Sequence, residues 1–188
     1  MIELWTRHDS RLSTSRGSEE LRAILEKEIP PGYGVEGEWI RKTHSFYIFD
    51  ILYVPEGIVS GGTQFQKLVY KMPPEPAWGA FEIVQYNPNE WRMEAKADGD
   101  HVVALRHPEK GVSVSTFHLS NQMRFNLIQN YSKTVRRIPS ADSNFEEFYK
   151  LAKGQKEEGV VMKYRTSLYE FGKKTRNWVK RRFSSDLE

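Results

Sequence analysis

The chain has no cysteine. Disulfides and thiolate chemistry are therefore excluded, and a reducing compartment suits it. No apolar run approaches the roughly 20 residues that span a bilayer, and the opening residues lack the pattern of a secretory signal. A cytoplasmic (intracellular) protein with no membrane partner is expected. There is no internal repeat and no low-complexity tract. Nor is there a large excess of either charge: 28 Lys and Arg stand against 25 Asp and Glu, a net +3 that by itself names no partner.

What is present suffices for one domain. A length of 188 residues, 38% hydrophobic and 28% charged, fits a single globular domain over 1–188, expected to be a monomer. The distribution of charge says more than its sum. "KYRTSLYEFGKKTRNWVKRR" (163–182) holds eight Lys or Arg against one Glu, with aromatics between them. Such a stretch suits phosphate or nucleic acid, although a solvated edge strand bearing lysines would read the same. The closing "LE" resembles a cloning scar, which would put the natural end earlier.

Strands and helices mix irregularly. "IELWTR" (2–7) alternates like a short strand. "GSEELRAILEKEI" (17–29), with a Ser cap and Leu21, Ile24 and Leu25 on one face, predicts a helix stopped by "PPGYG". "VEGEWIRK" and "HSFYIFDILYV" read as strands, the second so continuously apolar that it must be buried. "PEGIVSGGTQ" (55–64) is rich in turn residues, and within it 58–63 is the expected linker. "EPAWGAFEIVQYNPNEW" reads as irregular. "RMEAKADGDHVVALRH" and "GVSVSTFHL" read as a strand, a turn at "DG" and further strands around "PEKG", "SNQMRFNLIQNY" and "NFEEFYKLAKGQ" as amphipathic helices, the latter with Asn144 as cap. "EGVVMKYR" and "NWVKRRF" return to strand. The fold class expected is α+β, mostly antiparallel sheets flanked by helices.

One stretch raises a chemical question. In "MEAKADGDHVVALRHPEKG" (93–111), Lys96 is followed by one spacer and Asp98-Gly99. A Lys-x-Asp-Gly tetrapeptide arises by chance in roughly one chain of this length in twenty-five, so it needs companions. Taken singly, the companions read blandly: Phe49 as the core of a buried strand, Glu158-Gly159 as a turn, Arg7 as a surface arginine. Trp178 reads as core, and His101 and His107 as turn or surface residues with no ligand spacing between them.

Taken jointly, "LWTR" (4–7), "VEGEW" (35–39), "FYIFDIL" (46–52), "EAKADG" (94–99), "EEGVVMK" (157–163) and "NWVKRR" (177–182) resemble the motif set of the covalent nucleotidyltransferases. The closest likeness is to the adenylation domain of ATP-dependent DNA ligases. Amine attack on the α-phosphate of ATP needs a lysine kept unprotonated by cationic neighbours. It needs metal and basic groups to absorb phosphate charge, carboxylates to hold the metal and an aromatic face for adenine. The resemblance implies that Lys96 is the catalytic nucleophile, linked to AMP through a phosphoramidate, with Asp98 and Gly99 completing its motif. It implies ATP-binding roles for Glu94 (adenine), Arg7 (ribose or phosphate), Glu38 (ribose and metal), Phe49 (stacking on adenine, with Asp50 beside it), Lys163 and Lys180 (α-phosphate). Glu158 and Glu38 would hold Mg²⁺, and Lys173, Lys174, Arg176, Arg181 and Arg182 would contact nucleic acid.

The implied fold is that of the nucleotidyltransferases, with departures. His101 stands where the family's motif commonly has arginine, and Lys180-Arg181-Arg182 replaces Lys-x-Lys. The order also differs, because "LWTR", "VEGEW" and "FYIFDIL" precede "KADG" here and follow it in the family. Reading 64–111, then 2–57, then 112–188 restores the family order, which is a segment swap. Ile2 is then expected near Glu109–Gly111, with residues 2–7 pairing against 102–107 as a hairpin whose connection is cut. The chain ends where the family continues into an OB-fold, so an adenylation domain alone is expected. The implied activity is that of an ATP-dependent DNA ligase acting on nicked DNA. The alternatives are an RNA ligase, a GTP-using capping enzyme, or a catalytically impaired nucleic-acid-binding module.

Overall fold

The computed structural model describes residues 1–8, 10–12, 16–78 and 82–183. Among these, strands β1 (Ile2–Trp5), β2 (Gly34–Ile40), β3 (Ser45–Pro55), β4 (Gln64–Phe65), β5 (Glu75–Trp78) and β6 (Trp91–Lys96) precede the mid-chain turn at 97–99. Strands β7 (Asp100–Arg106), β8 (Ser113–Ser115), β9 (Val135–Arg137), β10 (Ser140–Ala141), β11 (Gly159–Tyr164) and β12 (Lys174–Arg182) follow it. The helices are α1 (Arg16–Glu28), α2 (Asn121–Asn126) and α3 (Phe145–Gly154). One sheet has the order β1-β7-β2-β3-β8-β4, with β9 running parallel along β3. The other has the order β10-β6-β11-β12-β5, antiparallel except for β12–β5. The fold is mixed helix and sheet, mostly antiparallel. No described helix is long and apolar enough to cross a membrane.

The apolar run of β3 is explained by burial on both faces. Phe46, Ile48, Ile51 and Val54 join the main core with Leu21, Leu25 and Ile29 of α1 and its C-terminal extension. Leu52 and Tyr53 face a second cluster with Val103, Leu105 and Trp178. The phase changes along the strand because β2 skips two of its residues. Gly34 pairs with Tyr53 but Val35 with Ile51, and Glu36 pairs with Asp50 but Gly37 with Ile48. Leu52 and Phe49 are therefore extra residues, and such bulges re-aim the side chains they carry.

The N-terminal strand lies where the segment swap requires. β1 pairs antiparallel with β7 from Ile2↔Arg106 to Trp5↔Val103, and His107 N–H donates to Met1 O at 3.2 Å. Ile2 thus sits opposite Arg106, a few residues before the expected 109–111. A second junction is equally close: Pro55 pairs with Ser113, and Glu56 N–H donates to Val112 O at 3.0 Å. Residues 58–63 hold no regular element and run along the surface, tied by His118 Nε2 to Ser60 O at 2.8 Å and by Thr63 N–H to Ser115 Oγ at 3.1 Å.

Several local expectations need correcting. Residues 75–78 form an edge strand, where Pro76 is tolerated because an edge does not require every N–H. Ser18 lies inside the first turn of α1, which starts at Arg16, so it is not the cap. Asn144 precedes α3 with φ 53° and makes no side-chain cap bond. The helix over 120–131 shortens to α2, capped by Ser120 Oγ, which accepts from Met123 N–H at 3.3 Å. α3 behaves as its spacing predicts, burying Phe145, Phe148 and Ala152 against Met93, Val160 and Met162 of the second sheet.

Candidate active site

Three strands meet at Lys96. Gly159 of β11 is opposite Lys96 of β6 on one side and Arg182 of β12 on the other. Glu158, one residue earlier, is anchored through its backbone: its N–H donates to Lys96 O at 3.0 Å, and its C=O accepts from Phe183 N–H at 3.1 Å. Its carboxylate takes Lys96 Nζ at 2.6 Å on one oxygen and Arg182 Nε at 2.6 Å on the other. Gly159 is required for this approach, since a Cβ there would meet Arg181 O at 2.0 Å.

Lys96 opens onto a cavity of about 270 Å³ between the two sheets. Arg7, Glu38, Phe49, Gly99 and His101 line it from the first sheet's side, and Glu94, Lys96, Lys163, Trp178, Lys180 and Arg182 from the second. The turn after Lys96 settles onto β2 because Gly99 has no side chain; a Cβ would meet Trp39 O at 2.3 Å. In that position Gly99 N–H donates to Glu38 Oε1 at 3.2 Å. The β3 bulge turns Phe49 toward the cavity, edge-on to Trp178 at 6.3 Å and with Lys163 Nζ 4.6 Å from its ring centre.

The charges are arranged in pairs. Glu94 is buried with Arg92 at 2.9 Å on one oxygen and Lys163 at 2.7 Å on the other. Lys163 therefore shares one carboxylate with Arg92 and lies beside Phe49. Burial pushes the Glu38 carboxyl up to about 7, with Glu158 adding to the rise and Lys96, Arg7 and the Gly99 N–H opposing it. Burial also holds Lys180 below the ordinary lysine value, helped by Lys96, Arg7 and Arg182 and opposed by Glu75 at 3.8 Å. Cations crowded in this way favour a neutral amine or a bound anion.

A buried network behind the cavity has no counterpart in the sequence reading. Glu36 accepts from Tyr169 Oη at 2.8 Å and from His101 Nε2 at 2.7 Å. Burial would raise the Glu36 carboxyl, but His101, Arg7 and Tyr169 outweigh it and hold it low. Burial likewise lowers His101, so a neutral ring donating from Nε2 to a charged Glu36 accounts for both. His101 is thus no surface residue, and its Nδ1 is buried with no hydrogen-bond partner among the described residues. Asp50 does not join Phe49 at the cavity; it binds Arg124 at 2.9 Å in the core.

Other expected site residues scatter. Asp98 is exposed and does not line the cavity. Lys173, Lys174 and Arg176 are exposed, whereas Arg181 packs 5.6 Å over Tyr149 of α3. Among the described residues no cluster of three or more carboxylate or imidazole groups is set to hold a metal ion. Glu38 and Glu158 are nonetheless close enough to repel. Mg²⁺ commonly takes one or two carboxylates and completes its shell with substrate phosphates and water; Glu38 and Glu158 are the residues that would hold such an ion, with Glu158 first giving up Lys96 or Arg182. Comparison of the chain with family models, curated proteins and solved structures finds no match.

Proposed function

We propose that this chain is the adenylation domain of an ATP-dependent polynucleotide ligase, with the nucleotidyltransferase fold in segment-swapped order and DNA as its substrate. The observation that supports it best is convergence. Lys96, Glu38, Phe49, Lys163, Lys180 and Arg7, spread over 174 positions of the sequence from Arg7 to Lys180, line one cavity. Chance placement of six polar or aromatic motif residues, drawn from both sheets, would not turn them all toward one cavity.

In the proposed reaction the Lys96 amine attacks the α-phosphorus of ATP. A P–N bond forms, the P–O bond to pyrophosphate breaks with its electron pair leaving on pyrophosphate, and the amine's proton passes to solvent. Lys180 and Arg182 balance charge on the phosphates, and Phe49 and Trp178 wall the nucleoside side. Mg²⁺ bound near Glu38 and Glu158 would supply further charge neutralisation. The AMP then passes to a 5′-phosphate, from which a 3′-hydroxyl displaces it.

The two junctions support the swapped order. Joining His107 through residues 108–111 to Met1 would make a hairpin with a four-residue loop, a common length. Joining 56–58 to Val112 would close β3 onto β8. Mass spectrometry after incubation with ATP and Mg²⁺ tests the reading: one added adenylyl group on Lys96 is expected, and an unmodified chain refutes it.

A further inference from the structure

A second basic surface lies outside the 173–182 stretch. Residues 130–140 form a groove of about 640 Å³ lined by Asn130, Ser132, Lys133, Arg136 and Arg137, among others, with no acidic residue among the described lining. Arg136 lies 5.2 Å over the Tyr47 ring and donates to its hydroxyl at 3.2 Å. Arg137 lies 4.7 Å over Phe125. Aromatic partners order a guanidinium without neutralising it. The groove therefore presents cations already oriented and still in need of an anion.

Its position connects it to Lys96. Arg137 pairs with Ile48 on β3, after which Ile138 N–H donates to Ile48 O at 2.8 Å. Pro139 O then accepts from Ala95 N–H at 2.9 Å, so the chain crosses from one sheet to the other beside the residue preceding Lys96. Ile138 lines both the groove and the candidate active-site cavity. An open strip of cations, Lys133 and Arg136 exposed and Arg137 half-buried, encloses a small anion poorly. It suits an extended polyanion that gathers many phosphate contacts through counterion release, with neutral groups such as Asn130 and Ser132 adding hydrogen bonds to phosphate.

We propose that this groove is a nucleic-acid-binding surface, in which Lys133, Arg136 and Arg137 hold the phosphodiester backbone of the strand whose end reaches Lys96. The direction of that strand rests on reading the cavity as an adenylating site; the groove's binding does not.

The test measures fluorescence anisotropy of a labelled nicked DNA duplex, and of its RNA counterpart, with the full chain across a salt series. Lys133→Ala/Arg136→Ala is compared with wild type and with Lys27→Ala/Lys110→Ala, which removes the same charge elsewhere. Lys133→Gln/Arg136→Gln repeats the comparison with longer side chains, and thermal melting checks each variant's fold. For the groove variants, the slope of log affinity against log salt should flatten by about 2, roughly one for each phosphate contact removed. The control should keep the wild-type slope. Unchanged binding in both groove variants, equal loss in the control, or no binding by wild type overturns the proposal. Loss on RNA alone or on DNA alone assigns the strand's chemistry and supports the groove. ATP labelling of the wild-type chain, without nucleic acid, judges the adenylating reading separately. A chain that binds through the groove but never labels refutes that reading and keeps this proposal.

Discussion

Lys96 Nζ lies 2.6 Å from Glu158 Oε2, while Arg182 Nε lies 2.6 Å from the other oxygen of the same carboxylate. While Lys96 is held by this carboxylate its amine is engaged and not free to attack phosphorus. For the proposed chemistry, this pair must open as substrate enters.

Replacing the nucleophile is the first test. Lys96→Ala and Lys96→Arg should both abolish self-adenylation, because neither offers a primary amine. The fold should survive with a loss of about 1 kcal/mol or less, since Glu158 keeps Arg182 as a partner. Intact-mass measurement after exposure to ATP reads the first effect and thermal melting the second. A labelled Lys96→Ala chain would reassign the nucleophile.

Glu158→Gln should slow adenylation by about 10²-fold and steepen its dependence on Mg²⁺, because one charged ligand is lost while the side chain's shape is kept. Lys180→Ala should slow the same step by a similar ~10²-fold factor by removing a phosphate-facing cation. Single-turnover labelling over a metal titration distinguishes the two: only the Glu158 variant should recover part of its rate at high Mg²⁺. Wild-type rates in both would leave the cavity without this chemistry.

Glu38 ties pH to both stability and rate. Burial holds its carboxyl at about 7 against an ordinary value of 4.5. Between those values the folded chain keeps a proton that the unfolded chain has lost, so this group's contribution to stability falls as pH rises through that window. Relative to wild type, Glu38→Gln should therefore gain stability between pH 5 and pH 8, read as the difference in melting temperature. Wild-type adenylation should rise through an inflection near 7 that the Gln variant lacks. Parallel melting curves at both pH values would show that Glu38 titrates normally.

Which parts of this were legible in the sequence follows from what strands do to spacing. Glu38, Phe49, Lys96, Glu158 and Lys180 sit in short segments whose polar residue is held at a fixed place in its own strand, so each left a local pattern. The partners that fix those side chains left none. Glu36 meets His101 and Tyr169, and Asp50 meets Arg124, across the fold. In sequence these look like ordinary alternation, as does Arg92 in "WRMEAK", although its side chain is fully buried. The "DG" turn misled in the opposite sense. It marked the loop correctly, yet Gly99 is used for close approach to Trp39 and Asp98 stands in solvent. β5 was hidden because Pro76 and its parallel pairing at a sheet edge erase the usual strand pattern.

The last prediction concerns connectivity. Met1 lies opposite His107, and Glu56 lies opposite Val112. A chain rebuilt as 64–111, then 1–58, then 112–188 would use residues 108–111 as one hairpin loop and residues 57–58 as another. Both lengths are ordinary for antiparallel strands. The strand neighbours β7–β1 and β3–β8 would be kept, with both pairs now adjacent in sequence. Only 59–63 would be removed, and these residues contribute little to the buried core. Shorter connections lower the cost of closing each pair and should speed folding. The rebuilt chain should show the same far-UV circular dichroism, a melting temperature at or above that of the present order, and the same labelling of Lys96 by ATP. An aggregated or molten product would mean that the linker 59–63 and its ties to Ser115 and His118 hold the strands in place, and that the two orders do not share one fold.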